Sequence, residues 1–143
     1  MAQIPPYTCM IYWRVMQKDF DKWNKEKKVI NSQPFTGFIH EREMWGCSIG
    51  VNVGDEQDGK NDRFERPVLV LRKYNKHVVL GVPLTTKLKQ NPYYFPFIHE
   101  GIQFAVILSQ VRLLSTNRFT RRIRRIDQKL FAQIKEALIE RAI

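Results

Sequence analysis

The stretch Arg66-Pro67-Val68-Leu69-Val70-Leu71-Arg72-Lys73-Tyr74-Asn75-Lys76-His77-Val78-Val79-Leu80-Gly81-Val82-Pro83-Leu84 decides the fold. It holds two short apolar runs, Arg66–Arg72 and Val78–Leu84, on either side of a polar break. Runs of this length, rich in valine and leucine and bounded by turn residues, read as buried strands rather than helices. Asn75-Lys76 between them predicts a hairpin turn. Working outward, Met44–Ile49, Phe104–Leu113 and the segment around Phe119–Ile123 carry the same texture. Several short strands at this spacing predict a small, largely antiparallel barrel or sandwich.

Helices are expected at both ends. Residues 18–30 place Phe20, Trp23, Lys27 and Ile30 at helical spacing, with Asp19 or Asp21 as cap. Phe20 and Trp23 would pack this helix on the domain, and Lys18, Lys22, Lys25, Lys27 and Lys28 make it basic. Pro34 ends it. At the other end Asp127 is a good N-cap, and Leu130, Ile134 and Leu138 form an apolar stripe widened by Phe131 and Ala137. The expected organisation is a 1–35 extension carrying the basic amphipathic helix, then a 36–143 domain of mainly β (α+β) class.

Charge narrows the partners. Lysine and arginine number 24 against 14 acids, a formal net charge of +10. So basic a small domain favours RNA, DNA or acidic protein segments. No apolar run approaches the ~20 residues of a membrane helix, and Met1–Met16 lacks the pattern of a secretory leader. Cys9 and Cys47, without a CxxC or nearby histidines, make neither a zinc site nor a disulfide framework. A reduced, cytoplasmic protein without membrane contact is expected. His40, His77 and His99 form no recognisable spacing with carboxylates, and no phosphate-binding glycine loop precedes a helix. Neither a histidine couple, a Ser-His-Asp set nor a bound cofactor or metal is expected.

Five patches remain. Gly54-Asp55-Glu56-Gln57-Asp58-Gly59 reads as a mobile loop, with Arg66 at the entry to the strand that follows. An arginine held by a strand can aim a planar fork of donors at a phosphate. Thr85-Thr86-Lys87 follow an apolar strand, where ordinary turn chemistry would account for them alone. Ser109 and Gln110 read as polar residues inside the Phe104–Leu113 strand. Arg112–Arg125 holds six arginines and no acid, which predicts an uncompensated positive stripe able to track a phosphate backbone. Pro92-Tyr93-Tyr94-Phe95-Pro96-Phe97 suits a core or dimer-interface strand better than a base-stacking platform.

The order Glu56-Gln57-x-Gly59, Arg66-Pro67-Val68-Leu69-Val70-Leu71, Val82-Pro83-Leu84-Thr85-Thr86, Ser109-Gln110-Val111-Arg112 resembles the PemK/MazF family of toxin endoribonucleases over about residues 42–141. The resemblance implies an SH3-like, partly open barrel with a C-terminal helix, usually dimeric. It implies metal-independent cleavage of single-stranded RNA, and neutralisation by an antitoxin whose acidic, flexible tail covers the RNA groove. It makes Arg66, Thr85 and Glu56 the expected catalytic residues. Gln57, Thr86, Lys87, Ser109, Gln110, Arg112 and Arg121 are the expected RNA contacts. This sequence departs from the family pattern at three points. Lys60–Glu65 put six residues between Gly59 and Arg66, lengthening a loop expected to contact RNA. Ser109 stands where many members carry an acid, and the helix at 18–30 is additional. A gyrase inhibitor of the CcdB type and a non-catalytic RNA-binding module are the competing readings for this fold.

Overall fold

The computed structural model describes residues 18–143. The elements are α1 (Phe20–Ser32), β1 (Glu43–Ser48), β2 (Glu65–Lys73), β3 (Val78–Thr85), β4 (Tyr94–His99), β5 (Ile102–Ile107), β6 (Arg112–Ser115), β7 (Phe119–Arg125) and α2 (Gln128–Ala142). The strands run β4-β5-β3-β2-β1-β7, with β6 also on β3, and every pairing is antiparallel. β3 organises the topology. One of its edges pairs with β2. The other pairs with β6 over Val78–Gly81 and with β5 at Leu84-Thr85. Sharing one strand between two groups curls the sheet into the expected SH3-like small barrel, with one helix before β1 and another after β7.

Two cores explain why β1 and β2 are apolar without alternation. Met44, Leu69, Leu71, Val82, Leu84 and Phe104 meet Phe131, Ile134 and Leu138 of α2 on one face. Trp45, Cys47, Val68, Val70, Leu114 and Phe119 pack on the other. Successive strand residues point to opposite faces, so covering both faces buries all six residues of β1. Each fully buried Leu, Ile or Phe contributes about 1.5–3 kcal/mol.

The Phe104–Leu113 strand expected from sequence is broken. β5 ends at Ile107, Leu108–Gln110 form a 3-10 turn, and β6 begins at Arg112. β5 and β6 pair with opposite ends of one edge of β3, so the chain must turn a corner between them. Leu108 is buried there, and Ser109 and Gln110 lie on the turn rather than in a ladder. The aromatic stretch becomes β4, with Phe97 stacked on Phe104 at 5.5 Å, which favours the core reading.

α1 begins where Asp19 accepts a hydrogen bond from the Lys22 amide at 2.9 Å. It packs through Trp23 and Ile30 on Val51 and Phe64, whereas Phe20 is exposed, contrary to expectation. Among the described residues no helix is long and apolar enough to cross a membrane.

Candidate active site

Arg66 sits at the start of β2, beside Glu65, and its partners come from two other segments, the 54–59 loop and the end of β3. Nε donates to the Asp58 carbonyl at 2.7 Å, and Nη1 to the Leu84 carbonyl at 3.4 Å. The Gln57 amide, oriented as its partners require, accepts from Nε at 3.0 Å and Nη2 at 2.7 Å. Leu84 is the residue before Thr85, so the guanidinium lies at the end of β3 where the Thr85 hydroxyl is presented. Partial burial lowers the Arg66 pKa, while Tyr94 and Asp58 oppose the shift. A guanidinium remains protonated in proteins, so the site holds a fixed, partly dehydrated cation. Desolvation strengthens its pull on an anion.

Beside it runs a groove of about 580 Å³. Among the expected RNA contacts it is lined by Gln57, Ser109, Gln110 and Arg112, and by Glu56 of the expected catalytic set. Arg66, Thr85, Thr86, Lys87 and Arg121 are not among the lining residues. Gln57 joins the two regions. Its side chain meets Arg66, and its backbone amide donates to Gln110 Oε1 at 3.1 Å. Thr85 Oγ1 accepts from the Lys87 amide at 3.1 Å, closing the turn that exposes Thr86 and Lys87. Arg121 is exposed on β7, at one end of the sheet order.

The bracket Gly54–Gly59, expected to be mobile, is tied down instead. Asn52 Nδ2 donates to the Gln57 carbonyl at 2.8 Å, and its amide donates to Asp58 Oδ1 at 2.7 Å. Gln110 Nε2 donates to the Asp55 carbonyl at 3.1 Å. Val53 N donates to Glu56 Oε1 at 3.0 Å. Lys18 then reaches in from the start of the helical extension. Its ammonium donates to the carbonyls of Asn52 at 2.7 Å and Gly54 at 2.6 Å, and pairs with Asp58 Oδ2 at 3.1 Å. All of its donors are aimed at one loop. Sequence reasoning missed Lys18, Asn52 and Asp58 as parts of the site. Only Asn52, two residues ahead of a turn glycine, carries a local signal.

A Lys18→Met variant keeps the aliphatic stem and removes the donors. Hydrogen bonds to a charged group contribute roughly 1.5–3 kcal/mol. Allowing for partial exposure, the loop is expected to open more easily by about 1–2 kcal/mol. Hydrogen exchange across residues 52–59 should then quicken about 5- to 30-fold. Unchanged exchange there would sink the anchoring role.

Lys60–Glu65 does not extend into the groove. Lys60 and Glu65 exchange two backbone hydrogen bonds of 2.7 Å, folding the added residues into a tight hairpin. Phe64 packs edge-on to Trp23 at 5.5 Å, and Asp62 pairs with Lys22 at 2.8 Å. The hairpin and α1 therefore brace each other. The groove wall keeps its shape without the insertion entering it.

The arginine stripe is also redistributed. Arg122 pairs with the buried Glu43 at 2.9 Å, and Arg124 pairs with Glu100. The acids come from another strand and a turn, so two of the six arginines are compensated, while Arg112, Arg118, Arg121 and Arg125 make no ion pair among the described residues. Arg112 and Arg118 turn inward, donating to the carbonyls of Ile49 at 3.5 Å and Ser48 at 3.1 Å. Cys47, beneath them, is fully buried, and burial pushes its thiol pKa up to about 12. A thiol so dehydrated is no nucleophile at neutral pH.

The fold and site together are a small antiparallel barrel with an arginine clamped beside an open groove. A family model of PemK-like, MazF-like toxins of type II toxin-antitoxin systems matches residues 44–141, and the chain belongs to that family. MazF from Deinococcus radiodurans superimposes with a TM-score of 0.63 at 20% identity, over 73% of this chain and 96% of that one. The MazE-MazF complex (Form-II) from the same organism gives 0.56 at 20%, over 73% and 96%. An endoribonuclease from mycobacterial species, in complex with its cognate antitoxin, gives 0.56 at 15% identity, over 72% and 93%. Likeness at these identities is likeness of fold. A comparison with curated proteins finds no match. α1 lies outside the matched residues.

Proposed function

We propose that the protein is the toxin of a type II pair and cleaves single-stranded RNA by transesterification. The observation that carries this reading is the Arg66 guanidinium, held by Gln57 and the Asp58 carbonyl at the end of β3 next to Thr85. Family membership supplies the context.

RNA brings its own nucleophile. The 2′-oxygen attacks the adjacent phosphorus, its proton passes to a base, and the bond to the 5′-oxygen breaks. The products are a 2′,3′-cyclic phosphate and a 5′-hydroxyl, the leaving oxygen taking a proton from solvent. Charge on the non-bridging oxygens grows in the transition state, where a preorganised cation is most effective. Arg66 supplies that cation, and the Thr85 hydroxyl donates to the same phosphate. Glu56, an exposed carboxylate on the groove wall, is assigned as proton acceptor. Ser109, Gln110 and Arg112 contact the flanking nucleotides, with Gln57 positioning Arg66. DNA lacks the 2′-hydroxyl and is inert.

The partner is an antitoxin whose acidic segment competes for the groove. Solved relatives include complexes of a MazF with MazE and of an endoribonuclease with its cognate antitoxin, which supports that assignment. A homodimer is the expected assembly.

The test is incubation of the purified protein with single-stranded RNA in EDTA, with mapping of new ends. Cyclic-phosphate and 5′-hydroxyl ends are expected. Intact RNA from folded protein would overturn the nuclease reading, and growth arrest with DNA damage but intact RNA would favour gyrase inhibition instead.

A further inference from the structure

A second cleft lies between α1 and the 3-10 turn Thr116–Arg118. Its volume is about 340 Å³, and Lys27, Lys28, Asn31, Asn117 and Arg118 stand around a floor formed by Trp23. No aspartate or glutamate lines it. The Arg118 guanidinium lies 5.8 Å from the Trp23 ring centre, which fixes it over that floor.

Groove and cleft are joined by charge. Arg112, a groove residue, donates to the Ile49 carbonyl. Arg118, a cleft residue, donates to the preceding carbonyl, Ser48. Two guanidiniums on consecutive carbonyls repel each other. After burial, Arg112 is the next cause lowering the Arg118 pKa. Among the described residues none of Lys27, Lys28, Arg112 and Arg118 makes an ion pair. Residues 1–17 contain no acid that could neutralise them.

We propose that this cleft is a second phosphate track for RNA. A strand leaving the groove past Arg112 continues over Arg118 and onto Lys27 and Lys28 of α1. The inference rests on the reading of the groove as an RNA site, and it assigns a role to a helix outside the family match. RNA held in the groove is already tethered beside the cleft. A polymer held in the groove meets the cleft at high effective concentration, so weak contacts there add avidity. The Asn31 amide can donate to and accept from a base edge, and Asn117, whose Oδ1 already accepts from the Phe35 amide at 3.2 Å, can donate through Nδ2. This favours RNA, since an acidic peptide does not require such base-edge contacts.

The test uses 2′-O-methyl RNA, which binds but cannot undergo 2′-oxygen attack. Its affinity is measured against salt for wild type and for a Lys27→Ala, Lys28→Ala double variant. Alanine preserves the helix. Each phosphate contact on a single strand contributes about 0.7 to the slope of log affinity against log salt, so two lost contacts flatten it by about 1.4. Cleavage of saturating unmodified RNA stays at the wild-type rate, since neither lysine touches the reacting phosphate, while KM rises. An unchanged slope overturns the track. An unchanged RNA slope with lost polyglutamate binding also overturns it and assigns the cleft to an acidic peptide. A lysine-dependent slope in a wild type that cuts no RNA supports the track and counts against the nuclease reading alone.

Discussion

Replacing Arg66 with alanine is expected to lower the rate of RNA cleavage by at least about 100- to 1,000-fold while the protein stays folded. Among the described residues the guanidinium is the one fixed cation whose donors are held between the loop and the end of β3. Losing a preorganised charge removes stabilisation that water, free to reorient, does not replace. Folding should survive, because Arg66 belongs to neither apolar core. The unpaired Asp58 and Leu84 carbonyls regain some water, at a cost of about 1–3 kcal/mol, a fraction of the roughly 5–15 kcal/mol typical of a domain. Arg66→Lys is not expected to rescue, since an ammonium cannot keep Gln57 and the Asp58 carbonyl while facing a phosphate. The measurement is initial rate on end-labelled RNA beside a thermal melt. A folded variant with wild-type rate would remove Arg66 from the mechanism.

The second large effect is expected at Gly59, which touches no substrate. A Cβ built there falls 1.7 Å from the Phe64 carbonyl oxygen, a backbone atom that no side-chain rotation can move aside. The Gly59 amide donates to the Gly50 carbonyl at 2.8 Å, and the neighbouring Asp58 carbonyl holds Arg66. Gly59→Ala must therefore separate the two arms of the loop or displace Asp58. Overpacking of this kind costs about 1–3 kcal/mol, and a misplacement of about 1 Å at a catalytic group costs about 100-fold in rate. A low kcat with RNA affinity near wild type is expected, together with faster hydrogen exchange at residues 50–59. Wild-type kcat in Gly59→Ala would show that the loop does not position Arg66.

Much of this could be read locally. The apolar runs of β1, β2 and β3, the Asp127 cap and the stripe on α2 depend on neighbours a few residues apart. The corner at Leu108–Gln110 could not be read that way, because apolar residues flank it on both sides. Nor could the pairing of Arg122 with Glu43, which belongs to another strand.

The sequence alone determined the strand-rich class, both helices, the basic charge and a family resemblance strong enough to single out Arg66 and Thr85. Those features are written in burial periodicity, capping and motif order, all of them short-range. Tertiary structure alone decided what the additions do. Lys18 reaches carbonyls 34 and 36 residues away, and Phe64 meets Trp23 on a helix that precedes the barrel. Contacts closed over such separations have no period in the chain. They form only once β1 and β2 bring the two ends of the loop together, and so the residues thought to lengthen an RNA loop prove to brace it.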